Sequence, residues 1–140
     1  QLLQYYSNTS YTVIIDSPIH KSGGSGEQRY DTLVSQVVSV SQGENIKGTS
    51  YHNISLVQDC KSGFTYPDTA ADVIQAAFSS SDIVPESGLA AGGGEVSVSK
   101  LAAVRTDANT MTYTFVLAIG NVGNANAEIK VNVDGIIIPT

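Results

Sequence analysis

Charge is scarce in this chain of 140 residues: 14% are Asp, Glu, Lys or Arg, against roughly 25% in an ordinary soluble domain. Seven Lys and Arg face thirteen Asp and Glu, a net charge of −6, and the cations are scattered singly. A chain with no basic patch cannot neutralise a row of phosphates, so neither nucleic acid nor an anionic membrane is an expected partner. Cys60 is the one cysteine, which excludes a disulfide within the chain and leaves the redox compartment open. No run of about 20 apolar residues occurs, so no helical membrane span is expected within these residues.

Hydroxyls stand where the charges are missing. Seventeen Ser and eleven Thr occupy one position in five, and Gly and Asn add to them. Such Lys-poor composition is associated with proteins that work outside the cell, so an extracellular, cell-surface setting is expected. The chain opens on Gln1, read either as a trimmed start or as the mature end left by removal of a signal segment. Its length suits one domain that buries roughly two-thirds of the surface of its unfolded form.

Period-2 alternation dominates the chain. Tyr113, Phe115, Leu117 and Ile119 recur at every second position, and after Gly120–Asn126 the residues Ala127, Ile129, Val131 and Val133 alternate with Glu128, Lys130, Asn132 and Asp134. Two strands with one dry face each, joined by a Gly/Asn turn, predict an antiparallel hairpin. Asp134-Gly135 is expected to turn the chain into Ile136, Ile137 and Ile138, which would form a sticky edge unless covered. Further strands are expected at 11–16, 33–41 with a bulge at Val37-Val38, 49–60 and 95–104. Pro67 and Asp68 predict a helix over 68–79, capped by Asp68, with Asp72 in its first turn and Val73, Ile74, Ala77 and Phe78 toward the sheet. Lys21–Gly26 and Gly88–Gly94 read as loops by composition. Six or seven strands and one short helix predict a mainly β fold, a β-sandwich.

Chemical constellations are weighed and set aside. His20 and His52 have no third ligand at a metal-binding spacing, and Asp59, Asp68, Asp72 and Asp82 do not follow a calcium-loop pattern, so no metal or other cofactor is expected. His52 and Cys60 share a strand face but lie eight residues apart, roughly 26 Å along a strand, too far for a nucleophile and its base. Gly23-Gly24-Ser25-Gly26 lacks the second glycine of a nucleophile elbow, since Glu27 follows, and Gly92-Gly93-Gly94 lacks the Lys of a phosphate loop. No enzyme is expected. Two N-glycosylation sequons occur, at Asn8 and at Asn53, although eight Asn among so many hydroxyl residues give one or two by chance.

The strand, Gly120-Asn121-Val122-Gly123-Asn124-Ala125 turn and Glu128–Val133 strand together resemble a hairpin of immunoglobulin-like domains in prokaryotic, particularly archaeal, surface proteins. It looks like the extracellular part of pilins, thread-like filament subunits and archaellum stator proteins. The resemblance covers about thirty residues. It implies an immunoglobulin-like β-sandwich over 17–140 and an N-terminal arm, 1–16, that serves as a donor strand for a neighbour's sheet. The expected function is therefore a structural subunit of an extracellular filament, a pilus or thread, with copies of itself as partner and a cell-wall or surface-layer protein as a second one. Leu2, Leu3, Tyr5, Tyr6, Tyr11, Val13, Ile15, Ile136, Ile137 and Ile138 are the expected subunit interface. Two alternatives accompany it: the soluble domain of a membrane-anchored surface or archaellum stator protein, with Gln1–Tyr6 ending an upstream membrane helix, and a viral shell or tail protein.

Overall fold

The structure, a computed structural model, describes residues 6–15, 27–41, 49–60, 62, 65–86, 95–120 and 126–139. In chain order they form β1 (Tyr6–Ile15), β2 (Glu27–Ser41), β3 (Thr49–Cys60), α1 (Ala70–Ala77), a 3₁₀ turn (Ser80–Asp82), β4 (Ile83–Pro85), β5 (Glu95–Asp107), β6 (Thr110–Gly120) and β7 (Asn126–Pro139). Two sheets result, one ordered β1-β3-β6-β5 and the other β2-β7-β4. All pairings are antiparallel except β1 with β3, which is parallel. The expected β-sandwich is the architecture found.

The core follows from the alternation. In β3 the even positions point inward, and in β6 the odd ones, so Ile54 sits opposite Phe115 and Leu56 opposite Tyr113, all buried. The second sheet answers with Val34, Val38 and Val40 from β2 and Ile129, Val131 and Val133 from β7. Aromatic edges lock the layers: the Phe78 ring meets Tyr113 at 5.6 Å and Phe115 at 6.3 Å between centroids, both T-shaped, the arrangement ring quadrupoles favour.

Helix α1 closes one flank. Ala70, Ile74 and Phe78, spaced by four, face the core, while Ala77 is exposed, so the buried stripe is shifted from the expected one. The helix starts two residues late, after Thr69 rather than Asp68, and Thr69 makes no side-chain capping bond. Asp68 instead lies 3.4 Å from Arg105 of β5. Exposed Gln75 does a strand's job at the outer edge of β5: its Oε1 accepts from the Ala103 N–H at 2.7 Å and its Nε2 donates to the Leu101 carbonyl at 3.2 Å. An edge satisfied by a side chain is unavailable for pairing with another strand.

Three expectations about the strands change. β6 and β7 belong to different sheets, so they face each other across the core instead of pairing as a hairpin. Alternation reports which side of a strand is dry but not which strand lies beside it. The five residues 121–125, spanning up to roughly 16 Å, suffice to cross the ~10 Å between layers. Asp134-Gly135 is no turn either: β7 runs on to Pro139, with Gly135 at a φ of +64°. That left-handed residue switches the buried phase of β7 from Val133 to Ile136 and Ile138, opposite a register shift between Thr32 and Val34 of β2. The β2 bulge therefore lies at Leu33 and not at Val37-Val38, where Val37 points out and Val38 in.

Candidate functional site

β1 is a long edge strand that is only partly buried. It runs along one edge of the four-stranded sheet and hydrogen-bonds on one side only, in parallel register with β3 from Tyr6↔Tyr51 to Ile15↔Cys60. Ile15 is buried, Tyr11 and Val13 are half-buried, and Ile14 is 66% exposed. Burying one isoleucine contributes about 1.5–3 kcal/mol, so this strand is held more lightly than β3 or β6. A polar tie crosses to the other sheet, from the Tyr11 hydroxyl to the Ser39 carbonyl at 3.1 Å.

The β1–β3 register matches like with like. Tyr6-Ser7-Asn8-Thr9-Ser10 lies along Tyr51-His52-Asn53-Ile54-Ser55, so that Tyr pairs with Tyr, Asn with Asn and Ser with Ser. Both copies of this Tyr-x-Asn-x-Ser pattern are sequons, and the two acceptor asparagines are direct register partners. Asn53 is exposed on the outer face of the sheet, so its amide is accessible. The repeat stood in the sequence as two identical spacings, a signal that reading each sequon by itself misses.

The expected interface divides. Leu2, Leu3 and Tyr5 lie outside the described residues. Tyr6, Tyr11, Val13 and Ile15 come together in β1, but within their own sheet. Ile136, Ile137 and Ile138 pair on one side with Tyr30, Arg29 and Gln28 of β2, while β4 meets β7 on its other side only at Ile129–Val131. Ile136 and Ile138 are buried and Ile137 alone is outward, at 47% exposure. The phase switch at Gly135 accounts for this, since it returns two of the three side chains to the core.

Beneath the β1 edge lies a polar cluster that the sequence reading passed over. Gln58, in the inward phase set by Ile54 and Leu56, is fully buried. Its Oε1 accepts from the hydroxyls of Tyr113, at 2.8 Å, and Tyr66, at 3.0 Å. Its Nε2 donates to the carbonyl of Leu33, the extra residue of the β2 bulge. One amide thus ties the two sheets together, and the bulge frees the carbonyl it needs. Burial pushes the Tyr66, Tyr113 and Tyr30 hydroxyls well above the ordinary tyrosine range. The Tyr30 hydroxyl, although fully buried, has no hydrogen-bond partner among the described residues.

His52 is buried in the same inward phase, and burial lowers its pKa, keeping the imidazole neutral. Burial raises the pKa of the Cys60 thiol; a hydrogen bond with Tyr66 opposes that rise and the neighbouring Asp59 charge adds to it. A thiol held protonated inside a core is a poor nucleophile. His20 lies outside the described residues, and among those described no group of three His, Cys, Asp or Glu could hold a metal ion. No described helix is long and apolar enough to cross a membrane. Comparison with protein-family models, curated proteins and solved structures finds no match to this chain.

Proposed function

We propose that this chain is a structural subunit of an extracellular assembly, in which β1 of one copy takes the place beside β3 of the next. One observation carries the reading: β1 is a half-buried edge strand in parallel pairing, while its neighbours are antiparallel and deeply buried. Residues 16–26 join it to β2, and eleven residues reach at most roughly 40 Å. That span lets the same strand fill its own slot or a neighbour's with identical hydrogen bonds, so exchange costs little beyond the entropy of association. The rear isoleucines play no part in it, because the side chains of Ile136 and Ile138 are buried within one copy. The immunoglobulin-like form of the sandwich belongs to the same reading. Its division of seven strands into four and three supports it, while the order β1-β3-β6-β5 over β2-β7-β4 departs from the constant-type order of 1-2-5-4 over 3-6-7.

The experiment is to refold the chain at low and at high concentration and to follow mass by light scattering and shape by electron microscopy. Multimers that appear at high concentration, and that vanish when residues 1–15 are removed, support the reading. Monomer at every concentration refutes it. That second outcome favours the other reading, a self-contained binding domain on a surface protein, to which the placement of β1 within its own sheet also lends weight.

A further inference from the structure

The outer face of the four-stranded sheet carries a recess of about 270 Å³, lined by Asn53, Ser55, Thr114 and Val116, by the strand backbone at Ile54 and Phe115, and by Lys100. Register sets its floor: Ser55 lies opposite Thr114 and Asn53 opposite Val116. Lys100 reaches it through an irregularity in β5. The pairing of β5 with β6 jumps from Ser99↔Val116 to Ala102↔Thr114, so β5 carries one residue too many there. Lys100 sits in that bulge at a φ of +56°, the one described non-glycine residue in the left-handed region. A side chain with a Cβ pays for this conformation, which glycine adopts freely and asparagine more easily. A lysine kept at a strained position beside a recess is an outlier that points to use.

The chemistry of the lining selects the occupant. Lys100 supplies an ammonium, Asn53 an amide, and Ser55 and Thr114 two hydroxyls, all around the aliphatic floor of Val116. Among the described residues no acidic one lines the recess and no ion pair engages Lys100. An unneutralised cation in a chain of net charge −6 is available to a carboxylate, and the amide and hydroxyls, each able to donate and accept, suit a ligand rich in hydroxyls. The volume is at the small end of pockets for small molecules, which begin near 300 Å³, so it suits a single ring. We infer that this recess binds an acidic sugar unit, a uronate, through Lys100 to the carboxylate and Asn53, Ser55 and Thr114 to the ring hydroxyls. The inference is independent of strand exchange, since all lining residues belong to β3, β5 and β6.

The test is to titrate sodium glucuronate into the isotope-labelled chain, prepared without N-linked sugar, and to follow backbone amide shifts. The expected result is saturable movement confined to residues 53–55, 100 and 114–116, with glucose and acetate each binding about tenfold more weakly. Lys100→Gln lowers glucuronate affinity by a similar factor without altering the rest of the spectrum. Lys100→Gly lowers affinity at least as much while raising the unfolding midpoint, because it removes the strained residue. Absence of saturable shifts with glucuronate overturns the proposal, as does glucose binding equal to glucuronate. Acetate binding equal to glucuronate overturns the assignment to a sugar.

Discussion

Replacing Gln58 by leucine is a severe change at nearly constant side-chain size. Gln58→Leu takes a partner from three groups in a region of at most 3% exposure: the Tyr66 hydroxyl, the Tyr113 hydroxyl and, by the loss of Nε2, the Leu33 carbonyl. Each orphaned buried group costs about 1–3 kcal/mol. The tyrosine hydroxyls can rotate, and Tyr66 keeps its contact with Cys60, so an expected loss of about 3–6 kcal/mol is reasonable for the set. Set against a total of about 5–15 kcal/mol for a domain, that loss decides whether the chain is folded at physiological temperature. Urea unfolding measures it, with an unchanged slope showing that the folded and unfolded surfaces are as before. Combining Gln58→Leu with Tyr113→Phe should cost less than the two changes summed, because the hydroxyl that the first change orphans is gone in the second. A loss below about 1 kcal/mol for Gln58→Leu would show that the amide is not what ties the sheets, and the account of the β2 bulge would go with it.

The buried tyrosines give a pH-dependent signature. Folding raises the pKa values of Tyr30, Tyr66 and Tyr113, so their stabilising contribution is complete below the unfolded value near 10 and is lost as the pH climbs above it; their phenolate absorbance should appear only with unfolding. His52 acts at the other end: folding lowers its pKa, so its contribution is complete above about 6.5 and declines as the pH falls below that, a slope that His52→Gln should remove from urea midpoints measured between neutral and acidic pH. Asn8 and Asn53 are register partners on adjacent strands, about 4.8 Å apart, which leaves room for one N-linked sugar and not two. Mass spectrometry of material from a glycosylating host should therefore find at most one occupied sequon per folded chain, and double occupancy would contradict the β1–β3 register.

The sandwich was legible because alternation is a local property. Ile54 and Leu56 set the inward phase of β3, and Phe115 and Leu117 that of β6, from the sequence alone. Which strands become neighbours is not local. Nothing in residues 110–139 states that β6 pairs with β3 while β7 crosses the core to pair with β2. Gly135 shows the limit well: Asp134-Gly135 is a turn signal by type, yet in a long strand the same left-handed freedom makes a phase switch, and that switch buries Ile136 and Ile138. Gln58 was legible in principle, since its phase follows from Ile54 and Leu56, but its partners come from β2, β6 and the segment before α1. Lys100 offered no local sign, because a lysine is no marker of a left-handed residue.

Strand exchange itself is tested most directly by mixing two variants. One carries Thr12→Cys in β1 and the other Val57→Cys in β3, positions that are register partners and, on neighbouring strands, within disulfide reach. The buried Cys60 stays as it is in both. After co-refolding at high concentration and mild oxidation, the account predicts a covalent species joining the two variants, absent when either is refolded by itself. If no mixed disulfide forms while a chain bearing both substitutions closes readily on itself, β1 belongs to its own sheet alone, and exchange between copies is contradicted.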